Sequence, residues 1–407
     1  MTLGLSAITW FLIFIAFFAL LYWIIPQKYS WISYLVLTLL FAYLAYKVEP
    51  NPEDDITRYF HEMAFMRELG QKELDRLVEQ NLFDFKNFRA SMYYVYFISK
   101  FNDDYLLPAA NIFIAYGLSF MSINKAIKRF NISKLNAFIG IMFFISTYWY
   151  YDEYSGTRNG ISFTLAFACA YQLMVERRFM ILSVIGLIIS CLFHSAGIIP
   201  VALIVLTELT LNTSGKFINF LLIFGIIGGA IGIRFLDSVS DNSFVEGIAG
   251  KVDTYEAEFE FNKTPTTFKV NVVVTVLVLL LILYYSYFIL NDSRAGEMRR
   301  FYKFASIVCY FCIGATFSPL IFVRFVRWII PLIGCIIFML GRECQKRFID
   351  EKTLEYCLYY APNSVSVRVK LQSIVLFLFN AFTAIHLWYL CNGSSLVWLH
   401  FDWEMIE

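Results

Sequence analysis

Three arginines stand where a membrane chain seldom puts them. Arg158 opens an apolar run in Tyr154-Ser-Gly-Thr-Arg158-Asn-Gly-Ile, and Arg324 and Arg327 lie in Phe322-Val-Arg324-Phe-Val-Arg327-Trp-Ile, between two apolar spans. Arginines three apart share one helix face. A guanidinium in hydrocarbon is costly, so such residues face a cavity and a partner or snorkel to lipid phosphates. Their planar forks match phosphate oxygens two at a time, and a lipid-borne diphosphate at the membrane surface would suit them. His194 follows the apolar run Ile188-Ile-Ser-Cys-Leu-Phe193. It is either a satisfied packing residue or a group that takes a proton or binds phosphate. Asp55, after Pro50-Asn-Pro-Glu-Asp, is either a plain helix N-cap or a carboxylate that orients or deprotonates a hydroxyl.

These side chains need a scaffold that brings them to one surface. Of 407 residues, 59% are hydrophobic, 19% aromatic and 16% charged, against about a quarter charged in a soluble domain. The mean hydropathy is +0.62. Lipid-facing surface must be apolar and its backbone bonded internally, so this composition predicts an all-α polytopic membrane protein. A net charge of +1 points neither to nucleic acid nor to an acidic substrate. Cys309-x-x-Cys312 has metal-like spacing, but no histidine or second pair accompanies it. Buried apolar thiols are expected, with no metal and no cofactor. The N-terminus lacks a basic region and a cleavage site and reads as a retained first helix.

Apolar runs of spanning length fall at 5–25, 31–47, 105–124, 135–151, 158–175, 217–233, 268–290, 303–322, 326–341 and 370–391. The stretch 179–210 is too long for one straight span, and His194-Ser195 and Pro200 interrupt it. It divides into two short helices, or a helix and a re-entrant piece. The expected architecture is one membrane domain over 1–407, with about twelve inserted helices, one pair of them short or re-entrant.

Short loops rich in Lys and Arg lie in the cytoplasm. Lys125, Lys128, Arg129 and Lys134 mark one, Arg177 and Arg178 another, Arg294, Arg299, Arg300 and Lys303 a third, and Arg342, Lys346, Arg347 and Lys352 a fourth. Alternation puts both termini outside, together with 48–104, 152–157 and 234–267. Parity holds only if 179–210 crosses twice or re-enters, which places His194 near the outer face. In the first outer loop, Tyr59, Phe60, Met63, Met66 and Leu69 recur at helical spacing, and Leu74, Leu77, Val78 and Leu82 follow. Both segments predict amphipathic helices on the membrane surface. Met92–Phe101 is aromatic, too short to span, and is expected in the interface. The second outer loop, 234–267, holds seven acids against Lys251 and Lys263 and reads as a solvated lid or a sugar-contacting cover.

The same residues carry a resemblance to the EpsG/Wzy group of bacterial polysaccharide polymerases. Pro52-Glu-Asp-Asp55-Ile-Thr-Arg58-Tyr59 resembles that group's Asp-x-x-x-Tyr segment in the first outer loop. Arg158-Asn-Gly-Ile-Ser-Phe resembles its Arg-Gln-x-Ile-Ala helix start, with Asn159 in the glutamine's place. Cys191-Leu-Phe-His194-Ser-Ala-Gly-Ile-Ile-Pro200 resembles its Phe-His-x-Ser-Ala segment, and Arg324-Phe-Val-Arg327-Trp its late Arg-x-x-x-Tyr.

The resemblance implies a GT-C-like membrane glycosyltransferase in the bacterial cytoplasmic membrane, with its active site facing outward. It implies an inverting transfer that polymerises glycan repeat units carried on polyprenyl diphosphate. Both donor and acceptor would be lipid-linked, and a chain-length regulator is a possible partner. In that setting Arg158, Arg324 and Arg327 would hold the diphosphate leaving group, and His194 or Asp55 would act as base, with preference to His194. Arg58, Tyr59 and Asn159 would contact sugar or acceptor, and Tyr148, Trp149, Tyr150 and Tyr151 could stack on sugar rings or, as is commoner, form an interfacial aromatic belt. A glycan ligase or single-addition transferase needs the same anion pocket. A lipid-linked-sugar flippase would spread charge through the midplane and show repeats, and a membrane acyltransferase would carry a fuller His/Asp signature.

Overall fold

The structure, a computed structural model, describes residues 7–50, 52, 54–79, 89–211, 266–290, 298–316 and 319–356. Among them every regular element is helical and no strand occurs. The expected spans at 217–233 and 370–391, and the second outer loop as far as residue 265, lie outside the described residues. The chain divides into two compact units, Met1–Val201 with Gln345–Glu407, and Ala202–Cys344.

The helices of the first unit are α1 (Ala7–Ile24), α2 (Trp31–Lys47), α3 (Asp55–Met66), α4 (Gln71–Glu79), α5 (Arg89–Ser99), α6 (Leu106–Phe130), α7 (Lys134–Thr147), α8 (Tyr150–Ser155), α9 (Thr157–Tyr171) and α10 (Met180–Phe193). A π-helical turn, Gln172–Glu176, extends α9, and a 3₁₀ turn, Ser195–Gly197, follows α10. α6 packs on α2, α8 and α9, α10 lies along α9, and α5 touches α3, α6 and α10. Leu106–Phe130 is long and apolar enough to cross a bilayer. Thr9–Ile24, Trp31–Lys47, Lys134–Thr147 and Met180–Phe193 are apolar and shorter. α10 leaves Ile181, Leu182, Val184, Ile185 and Ile188 exposed, a face that hydrocarbon covers far better than water. α6 ends at Asn131, whose left-handed backbone (φ 49°) brings its N–H to the Ile127 carbonyl, a conformation asparagine tolerates.

α11 (Ile198–Leu209) and α15 (Ile330–Tyr356) straddle the division between the units. The second unit contains α12 (Thr266–Leu290), α13 (Arg299–Ala315) and α14 (Pro319–Trp328), with α12 packed on α13 and α13 on α14.

Several expectations are corrected. α7 stops at Thr147 rather than 151, and the residues after it turn inward. Tyr148 and Tyr150 are 1% and 2% exposed. Their rings pack with Tyr116 and Phe41 at 5.1–5.6 Å between centroids for the pairs Phe41–Tyr116, Phe41–Tyr150 and Tyr116–Tyr148. They are core aromatics, because a polar hydroxyl that finds a buried carbonyl lets the ring leave the surface; Tyr150 donates to the Phe41 carbonyl at 2.8 Å. Asp55 is the first helical residue of α3 and Asp54 the N-cap. The segment around Met92 is a helix, α5, that packs on α3, α6 and α10 and buries Met92, Val95 and Ile98. The stretch between spans that holds Arg324 and Arg327 is itself a ten-residue helix, α14, and Arg342, Lys346, Arg347 and Lys352 continue α15 as helix rather than forming a loop.

The amphipathic α3 buries Ile56, Tyr59, Met63 and Met66, and its C-terminal end is tied down by Lys100. The Lys100 ammonium donates to the carbonyls of Met66, Arg67 and Leu69 at 3.1, 2.8 and 2.9 Å and stands 4.4 Å from the Tyr96 ring centroid. These are carbonyls that a helix end leaves without intrahelical donors. Arg67 adds an ion pair to Asp104. Lys100→Met is expected to loosen α3 by about 1–3 kcal/mol. Hydrogen exchange over 55–66 should quicken while α6 stays protected; unchanged exchange in α3 would show that Lys100 carries no such role.

Candidate functional site

The start of α9 holds Arg158 and Asn159, and it is positioned by hydrogen bonds rather than by its own cap. Gly156, the N-cap, offers no side chain. Asn111, buried in α6, donates through Nδ2 to the Thr157 hydroxyl at 2.8 Å and to the Tyr154 carbonyl at 3.4 Å. A carbonyl can only accept, which sets the orientation of the amide. The Asn111 Oδ1 then accepts from the Tyr94 hydroxyl at 2.9 Å. One side chain thereby joins α5, α6, α8 and α9. Tyr154 in turn donates to the Val48 carbonyl at 3.1 Å, linking this knot to the end of α2.

Around this corner lie the predicted residues of the first outer loop. Arg58 pairs with Asp55 at 3.6 Å and sits 5.4 Å from the Tyr59 ring centroid. Burial raises the Tyr59 hydroxyl above the ordinary phenol range, and the positive charges of Arg158 and Arg58 act in the opposite sense. Arg158 therefore lies within electrostatic reach of Tyr59, which groups Asp55, Arg58, Tyr59 and Arg158, and Asn159 follows Arg158 on α9. The Asn159 carboxamide oxygen is buried without a hydrogen-bond partner. A buried acceptor in that state calls for a donor, such as a hydroxyl.

His194 joins the same corner through α9. Ser162 donates to the Ser190 carbonyl at 2.8 Å, Ser190 donates to the Ser162 carbonyl at 2.9 Å, and the two hydroxyls are 3.3 Å apart. A Cβ on Gly197 would stand 2.6 Å from the Ser162 hydroxyl and 2.8 Å from the Ser190 carbonyl, so only glycine lets the 3₁₀ turn close here. Ser162 is one helical turn from Arg158 on the same face of α9. The helix break expected within 179–210 falls at His194, which is extended (φ −154°, ψ 135°) and 8% exposed. Its Nδ1 accepts the Ala196 backbone N–H at 3.0 Å. An imidazole nitrogen that accepts carries no proton, so Nε2 bears the hydrogen of the neutral ring and is a donor.

Arg324 and Arg327 belong to α14 in the second unit, three residues apart on one helix face.

Three acids escaped the sequence reading. Asp54, not Asp55, is the carboxylate turned into the protein: it accepts from the Tyr151 hydroxyl. Burial first, and Asp54 second, raise the Tyr151 phenol above its ordinary range. Asp152 and Glu153 are 8% and 1% exposed on α8. The Glu153 carboxylate fills the space a side chain on Gly160 would need and interacts with the Tyr148 hydroxyl. It lies against the first turn of α9, where the helix dipole favours negative charge. The available signal was the brevity of 152–157 between two spans, which leaves its acids little room to reach bulk water.

A model of the family described as EpsG matches residues 31–362. No curated protein and no solved structure matches the chain.

Replacing Asn111 by Leu removes the shared partner of Tyr94, Tyr154 and Thr157. Stability is expected to fall by about 2–4 kcal/mol, since buried polar groups lose their bonds without regaining water. Thermal unfolding in detergent measures this. An unaltered midpoint would mean that α9 is set by packing alone.

Proposed function

The chain belongs to the EpsG family, and from that membership we propose that it polymerises glycan repeat units carried on polyprenyl diphosphate. The work is placed at the outer face of the bacterial cytoplasmic membrane, in a GT-C-like bundle of about twelve inserted helices with both termini outside. The observation that carries this reading is the cluster at the head of α9. Cations, a tyrosine, an aspartate and an orphaned carboxamide oxygen meet there beside a helix break that holds an imidazole.

The bond from the anomeric carbon of the donor to the lipid diphosphate breaks, and the acceptor hydroxyl oxygen attacks the opposite face, inverting the centre. Negative charge grows on the departing diphosphate. Arg158, Arg324 and Arg327 hold it, because preorganised donors aimed at developing charge are worth about 3 kcal/mol each. His194 adds a neutral Nε2–H to that anion, since its Nδ1 is occupied by the Ala196 amide. The proton of the attacking hydroxyl passes to Asp55, whose exposed carboxylate pairs with Arg58 and can be reached by an incoming sugar. Tyr59, Arg58 and Asn159 bind the acceptor sugar. Glu153 positions Arg158 by bracing the first turn of α9.

Purified protein incubated with lipid-linked repeat units, and no nucleotide sugar, should yield a ladder of products; a single band indicates one-step transfer instead. Arg324→Ala or Arg327→Ala should cut extension roughly 10²–10³-fold while insertion is normal, and lysine should restore little because it lacks the bidentate fork. Full extension by both alanine variants refutes the diphosphate role. His194→Gln retains a donor near Nε2 but cannot take a proton, so it should keep far more activity than His194→Ala; equal loss in both returns the histidine to the role of base.

A further inference from the structure

A second cluster of polar atoms lies in the other unit, within α12 and α15, and the proposed reaction leaves it unused. Tyr285 and Ser286 are 2% and 1% exposed, and neither hydroxyl has a hydrogen-bond partner. The inner guanidinium nitrogen of Arg342, Nη1, is likewise buried without one. Arg342 and Tyr285 are neighbours, and Ser286 follows Tyr285 on α12. Arg342 and Tyr285 interact electrostatically, and a side chain on Gly341 would run into the Tyr285 ring, so α12 and α15 nearly touch there. Glu343, also buried, lies within electrostatic reach of Arg342 but accepts no bond from Nη1.

The chemistry of the set names its ligand class. A guanidinium nitrogen only donates, and both hydroxyls have a proton to give. A single water can accept from at most two of these three donors. An oxyanion with several acceptor oxygens balances the set. Arg342 is also the first charged side chain beyond the apolar start of α15, and it stands on the rim of the second unit, half-buried rather than enclosed.

This place is not the site around Arg324 and Arg327. Those arginines precede α15, and Arg342 lies twelve residues into it, roughly 18 Å along the axis at the usual rise. Arg299, Arg300 and Lys303 open α13, which packs on α12. A concentration of positive charge at that end belongs to the cytoplasmic leaflet, whose lipids are anionic.

We propose that Arg342, Tyr285 and Ser286 form a binding site for a phosphate group on the membrane side opposite the reaction, filled by an anionic lipid headgroup or by soluble phosphate. The test uses thermal unfolding of the full chain and needs no glycan substrate, so it stands or falls apart from the polymerase reading. One arm compares vesicles of phosphatidylglycerol with vesicles of phosphatidylcholine. The other compares inorganic phosphate with chloride in detergent at equal ionic strength. The wild type should melt several degrees higher with phosphatidylglycerol. A matching rise with inorganic phosphate identifies the phosphate group alone as sufficient, and a rise in vesicles only identifies a lipid as the source. Arg342→Gln should abolish the rise, and Tyr285→Phe and Ser286→Ala, which keep the packing, should each reduce it. If Arg342→Gln fails to fold, the two conservative variants decide. No rise in either arm for the wild type, or an undiminished rise in Tyr285→Phe and Ser286→Ala together, overturns the site.

Discussion

The outer corner of this protein depends on a buried amide. Asn111 hydrogen-bonds to α5, α8 and α9 at once, and it does so from inside a helix long enough to span a bilayer. In a medium with little water, an amide left half-bonded is worse than an apolar residue, whereas one that is fully bonded fixes geometry. Here oxygen and nitrogen are both used, and each bond ends on a different helix. The direction in which α9 leaves the membrane edge follows from that satisfaction, and with it the placement of Arg158.

Charge is handled at this corner by distribution. Asp55 and Arg58 pair at the surface, where an ion pair contributes little stability and leaves both groups reachable. Asp54 and Glu153 are withdrawn, each against a tyrosine hydroxyl or a helix start that tolerates negative charge. Arg158 stands two residues before Gly160, against which the Glu153 carboxylate packs, and within electrostatic reach of Tyr59.

Much of the helical layout was legible in the sequence, because hydrocarbon imposes length and polarity rules that composition obeys directly. The break at His194 and the helix over Asp55–Met66 followed from interruption and periodicity. So did the family, through short motifs in the right order. What stayed hidden was local and three-dimensional. Whether Asp54 or Asp55 faces inward turns on one residue of helix phase, which propensity does not resolve. Tyr148 and Tyr150 looked like an interfacial belt because belts and aromatic cores share composition. The tautomer of His194 depends on a backbone amide two residues away, which no spacing rule announces. Arg324 and Arg327 were placed at a boundary because a hydropathy window cannot see a ten-residue helix enclosed between two spans.

The serine pair between α9 and α10 bears on biogenesis. Each hydroxyl is bonded to the other's backbone carbonyl, so neither needs a later helix to satisfy it. Arg177 and Phe179, both left-handed, join α9 to α10 through a tight reversal. The hairpin can leave the insertion machinery as a finished piece, with its polar groups already matched. The helix break at His194 and the first turn of α9 would then be set before the ribosome has made α14.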